Sequence, residues 1–135
     1  MRRLAFLLCL LTLLLSGCAA DQRNTALTTT LNAYANAMRW GDFESCLQFV
    51  DPAVRKDVTP SSLEMARYGQ YKVTGYDDTQ GPVANGENEV HQLVQVNIVN
   101  VNTQSERTVL DRQTWRYDPE KKRWWLMSGL PDIRQ

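Results

Sequence analysis

Thr114-Trp115-Arg116-Tyr117-Asp118 and, three residues on, Lys122-Arg123-Trp124-Trp125-Leu126 form the stretch that decides the fold. Apolar and polar residues alternate with period two before a short polar loop and an apolar run follows it, the pattern of an antiparallel β-hairpin. With Asp118 facing Arg123, Tyr117 lies opposite Trp124 and Trp115 opposite Leu126. These four large side chains then share one sheet face, where cross-strand packing stabilises the pair. Arg116, Trp125 and Met127 point to the other face.

Upstream, the same period of two runs back to Tyr68. It predicts strands over about Tyr68 to Asp78, Glu89 to Asn102, Arg107 to Asp118 and Arg123 to Ser128, with Gly81-Pro82 and Asn85-Gly86 in a loop. The second strand carries apolar residues on both parities: Val90, Val94, Val96 and Ile98 on one, Leu93, Val99 and Val101 on the other. That pattern calls for a bulge, a strong bend, or burial on both faces.

Before Tyr68 the period is helical. Leu27, Leu31, Tyr34, Ala35 and Met38 make one apolar stripe, predicting a helix over about Thr25 to Trp40. Gly41 stops it and Asp42 caps a second helix, with Phe43, Cys46, Leu47 and Val50 inward. Short helical pieces follow from Asp51-Pro52 and from Pro60-Ser61-Ser62 to about Arg67. The expected fold class is α+β: N-terminal helices packed on a curved four-stranded antiparallel sheet, preceded by a signal peptide.

The chain opens with Met1-Arg2-Arg3 and an apolar run from Leu4 to Leu15, the charged, apolar and small-residue order of a secretory signal. The run falls short of the roughly 20 residues that a transmembrane helix needs. It ends in Leu15-Ser16-Gly17-Cys18, which resembles the bacterial lipobox; an ordinary cleaved signal is the alternative. The resemblance implies cleavage between Gly17 and Cys18, a diacylglyceryl thioether on Cys18 and acylation of the new amino terminus. It implies a cell-membrane anchor facing the periplasm. Ala19 in place of Asp favours the outer over the inner membrane. Residues 1–17 are then signal peptide, 18–24 a lipidated tether, 25–131 one α+β domain and 132–135 a tail.

Of 135 residues, 118 remain after that cleavage, enough for one domain with a core. Lys and Arg number 15 against 15 Asp and Glu, and loss of Arg2 and Arg3 leaves a net charge of −2. No strong field favours nucleic acid as a partner. Lys121-Lys122-Arg123 reads as a solvated turn. With Cys9 discarded and Cys18 lipidated, Cys46 has no disulfide partner and sits among Phe43, Leu47 and Phe49 as a buried structural thiol. One histidine and scattered acids offer no metal-ligand spacing, and no cofactor motif is present.

Helices followed by a curved antiparallel sheet resemble the nuclear transport factor 2-like superfamily, also called SnoaL-like or cystatin-like cone folds. The local echoes are Trp40-Gly41-Asp42-Phe43 between the first helices and the closing hairpin. The resemblance covers about Thr25 to Pro131 and implies a sheet wrapped around the first helix to form a cone. Members dock partners or dimerise through the sheet, bind small apolar ligands, or use an Asp or His with a Tyr for isomerase or dehydratase chemistry. Three expectations follow. The first is a non-enzymatic lipoprotein docking an envelope protein or a second copy, with Trp125 and Met127 as interface residues. The second is a small apolar-ligand binder whose pocket is lined by Tyr34, Trp40, Trp115, Tyr117 and Trp124; the alternative is that these rings simply fill the core. The third is an isomerase-like enzyme using Asp111 or His91 with Tyr34, although the charges around Asp111 read as a solvated strand end.

Overall fold

The computed structural model describes residues 2–134, with side chains from residue 17 onward. The signal-peptide expectation for residues 1–17 therefore falls, apart from Gly17, outside the described side chains. Among the described residues no helix is long and apolar enough to cross a membrane.

Helix α1 (Arg2–Trp40) runs unbroken into the domain. Tyr34, Ala35 and Met38 are buried, and Leu27 and Leu31 pack half-buried beside them, as the stripe predicts. Residues 18–24, expected as a tether, are helical and continuous with the rest of α1. The reason is local: Ala19 to Asn24 contains neither proline nor glycine, so nothing interrupts propagation. Its end is also docked, because the Arg23 carbonyl accepts from Trp124 Nε1 at 3.0 Å and Arg23 Nη1 donates to Asn88 Oδ1 at 3.2 Å. At the other end Gly41 N bonds Ala37 O at 2.9 Å. A Cβ on Gly41 would stand 2.7 Å from that carbonyl oxygen, which explains the glycine.

Helix α2 (Phe43–Cys46) is capped by Asp42, whose carboxylate accepts from Ser45 N at 2.7 Å. It tightens into a 3₁₀ turn, Leu47–Phe49. Helix α3 (Arg55–Val58) and helix α4 (Ser62–Tyr68) follow, α4 starting in a reciprocal capping box between Ser61 and Glu64.

Strands β1 (Tyr71–Asp77), β2 (Val83–Ala84), β3 (Glu89–Asn100), β4 (Glu106–Asp118) and β5 (Arg123–Leu126) form one antiparallel curved sheet in the order β1-β3-β4-β5, with the short β2 on β3. The fold is thus the α+β arrangement expected, an N-terminal helix packed on a curved antiparallel sheet. The hairpin register is Tyr117 to Trp124 and Trp115 to Leu126, as the sequence requires. The irregularity sought in β3 lies on its neighbour: β1 shifts register between Val73 and Gly75. Gly75 suits that site because a Cβ there would meet Asn97 Nδ2 at 2.9 Å. Val90, Val94, Val96 and Ile98 face the core, while Leu93 and Val99 are half-buried and Val101 is exposed on the other parity.

The C-terminal segment expected as a tail over 132–135 is partly core. Ile133 is buried and its carbonyl accepts from Arg107 Nη2, while the Pro131 carbonyl accepts from Tyr68 Oη at 2.6 Å. Removing the Ile133 side chain from water favours docking of this segment over leaving it solvated.

Candidate functional site

Two features deserve the name of site. One is a buried polar cluster inside the sheet and the other an open apolar groove at the end of α1.

The cluster is built by β4 parity. Val109, Asp111, Gln113 and Trp115 all point inward. Asp111 is only 4 % exposed, so its reading as a solvated strand end is corrected. Arg112, its neighbour in sequence, points to the opposite face and cannot solvate it. Gln113 is the hub: Nε2 donates to Asp111 Oδ2 at 2.7 Å and to Tyr76 Oη at 3.0 Å, and Oε1 accepts from Trp115 Nε1 at 3.0 Å. Burial pushes the Asp111 carboxyl up to about 6, opposed by its bond from Gln113. Burial also raises the phenols of Tyr34 and Tyr76, and lifts Tyr68 and the Cys46 thiol to about 12. Asp111 adds to each of those shifts, which marks these four groups as its electrostatic neighbours from α1, β1, α4 and α2.

Tyr34 is fully buried, with its ring edge-on to Trp115 at 5.2 Å and to Phe49 at 5.4 Å. Its hydroxyl has no hydrogen-bond partner among the described residues. A buried donor left unmade costs free energy, so Tyr34→Phe is expected to be neutral or stabilising by up to about 1 kcal/mol in chemical denaturation. A loss greater than that would reveal a partner for the hydroxyl.

The sequence-predicted pocket residues are therefore divided. Tyr34, Trp115 and Trp124 fill the core, Tyr117 lies half-buried against the Trp124 ring at 5.3 Å, and Trp40 is 85 % exposed at the end of α1. Tyr34, Trp115 and Trp124 thus belong to the packed core, and Trp40 stands apart from them. Trp125 does not stand free on the outer face either. It is 8 % exposed, with the Arg123 guanidinium 4.0 Å and the Lys121 ammonium 5.7 Å from its ring centroid. The two cations stack on the ring and cover it. Met127 is half-buried, and the outer face presents His91, Gln95, Asn97, Thr108, Arg112 and Arg116. His91 is exposed beside Glu89, 2.9 Å away.

The groove occupies about 730 Å³ between the end of α1, α4 and β1. Met38, Phe43, Met65, Tyr68 and Val73 supply apolar lining, and Trp40 stands at its rim. Arg39 and Lys72 bring positive charge, Asp42 and Glu44 negative. Arg39 is held in place: its Nη2 donates to the Tyr76 carbonyl at 2.8 Å and its guanidinium lies 5.3 Å from the Tyr76 ring centroid. Of this lining only Trp40 was a sequence candidate. Met65 and Val73 lie on elements far apart in the chain, and no local period announces that they meet. Among the described residues no three His, Cys, Asp or Glu side chains converge to hold a metal ion. Cys18 is exposed on α1 and Cys46 is buried.

Comparison with known proteins finds no matching family model, no similar curated protein and no similar solved structure.

Proposed function

We propose that this chain is a bacterial lipoprotein of the cone superfamily, anchored through lipid on Cys18 and facing the periplasm, outer membrane favoured. Its domain binds a small apolar or amphipathic molecule without chemistry. The groove carries this reading: about 730 Å³ of largely apolar lining is within the range of small-molecule sites. Arg39 and Lys72 suit the ligand's polar end, and the exposed indole of Trp40 its body.

Protein docking through the sheet, the other expectation, loses its motive with Trp125 covered by Arg123 and Lys121. An isomerase-like reading draws on the buried Asp111, yet Asp111 lines neither this groove nor the smaller recess of about 230 Å³ beside Tyr68 and Ile133. A general base has to reach the proton it takes.

The ligand reading is tested by Ala66→Trp. Ala66 is an exposed groove residue. An indole there is expected to weaken binding of a fluorescent fatty acid at least tenfold while leaving the unfolding midpoint unchanged. Equal binding by both proteins would sink the groove as the site. Cys18→Ser tests the anchor: the variant is expected in the soluble fraction, unlabelled by radioactive palmitate, and retention in membranes would overturn the lipoprotein assignment.

A further inference from the structure

The groove and the anchoring cysteine lie on the same helix at opposite ends. Cys18 and Trp40 are 22 residues apart on α1, which contains no break between them. At 1.5 Å per residue they stand about 33 Å apart along its axis. From Arg23 to Arg39 the helix is held against the domain: Trp124 and Asn88 bond Arg23, and the Tyr76 carbonyl bonds Arg39, while Cys18 lies five residues before the first of these holds on the same continuous helix.

The outward surface of α1 gives it no reason to lie down on a bilayer. Ala20, Asn24, Thr28, Thr29, Asn32 and Asn36 are small or polar and carry no net charge. Apolar insertion and a basic face are what hold a helix in the interface plane, and both are missing from these residues. Exposed large apolar side chains on the described helices are Trp40 and Leu63, both toward the groove end and away from Cys18.

Resting on the lipoprotein and groove readings above, we propose that the domain stands off the membrane on α1, with the groove at its membrane-distal end. The amphiphile is therefore exchanged with the aqueous compartment and not with the leaflet that carries the protein. The rigid helix replaces the flexible tether that would let the domain fold back to sample its own bilayer.

The test uses full-length lipidated protein reconstituted in vesicles, with a single environment-sensitive thiol label at Leu63→Cys or at Gln22→Cys. Both positions are exposed, and Cys46 is buried against the reagent. Leu63 is outside the groove lining. Flotation of the vesicles first reports whether the anchor exists. Doxyl-labelled lipids are then expected to quench the label at position 22, about 6 Å of helix from Cys18, and to leave the label at position 63 as bright as in doxyl-free vesicles. Quenching at 63 in floated protein would overturn the distal groove while leaving the anchor intact. Failure to float would overturn the proposal together with the anchor. Ligand binding is read separately through Ala66→Trp, so a groove that binds nothing is distinguished from a groove in the wrong place.

Discussion

Trp115→Ala is expected to destabilise the domain by at least about 4 kcal/mol, enough to leave a protein of ordinary stability mostly unfolded at ambient temperature. Trp115 is fully buried and its ring packs against Tyr34 of α1. Truncating a buried Trp forfeits roughly 3–5 kcal/mol through lost transfer energy and the cavity left behind. It also removes the Nε1 donor from Gln113 Oε1, stranding a buried acceptor at a further cost of about 1–3 kcal/mol. Urea unfolding measures the effect. Trp40→Ala is the control, because Trp40 is 85 % exposed and its loss is expected to change stability by no more than about 0.5 kcal/mol. Similar costs at the two sites would contradict the placement of Trp115 between the layers.

Asp111→Asn is expected to stabilise the protein at pH 8 by roughly 1–3 kcal/mol. Burial raises the folded-state value of this carboxyl from 3.8 to about 6. The sign follows from linkage. The neutral acid is the form the fold favours, so its contribution is fully present below about pH 4 and is lost as pH rises through about 6. Ionisation at neutral pH then costs about 3 kcal/mol, because the groups facing Asp111 (Tyr34, Cys46, Tyr68, Tyr76 and Gln113) include no cation. An asparagine keeps an oxygen for Gln113 Nε2 and removes the buried charge. The natural protein should therefore lose stability between pH 4 and pH 7 while the variant loses less, and the two should converge at acid pH. Parallel stability profiles across that range would remove Asp111 from the interior.

The two predictions sit on one strand, and their legibility in the sequence differs in an instructive way. The sequence places Trp115 on the core face, because the hairpin aligns it with Leu126 and the alternation of β4 is plain. Asp111 is four residues earlier on the same parity, so the same alternation places it inward too. Its nearness in sequence to Arg112 and Arg107 suggests solvent, yet those charges do not reach it. Neighbours one apart on a strand occupy opposite faces, so Arg112 is remote from Asp111 however close it is in the chain. Trp125 is the converse case. Its parity does put it on the outer face, but Arg123 and Lys121 fold back over the ring, which long flexible cationic side chains do wherever an indole is near.

What the sequence determined by itself is whatever depends on local period and local chemistry. The α1 stripe, the Asp42 cap, the glycine stop at Gly41, the register of the closing hairpin and the α+β class all follow from residues within a few positions of one another. The proposal of a lipobox rests likewise on a short contiguous motif. Only the tertiary structure decided what depends on several elements meeting. It packed Tyr34, Trp115 and Trp124 into the core between α1 and the sheet. It gathered Asp111 with phenols from three separate elements, and it opened the groove where the end of α1 meets α4 and β1. The physical reason is that a periodic pattern says which face of an element is apolar. How closely two apolar faces pack, and where they leave a gap, depends on the volumes of side chains that the chain separates by dozens of residues.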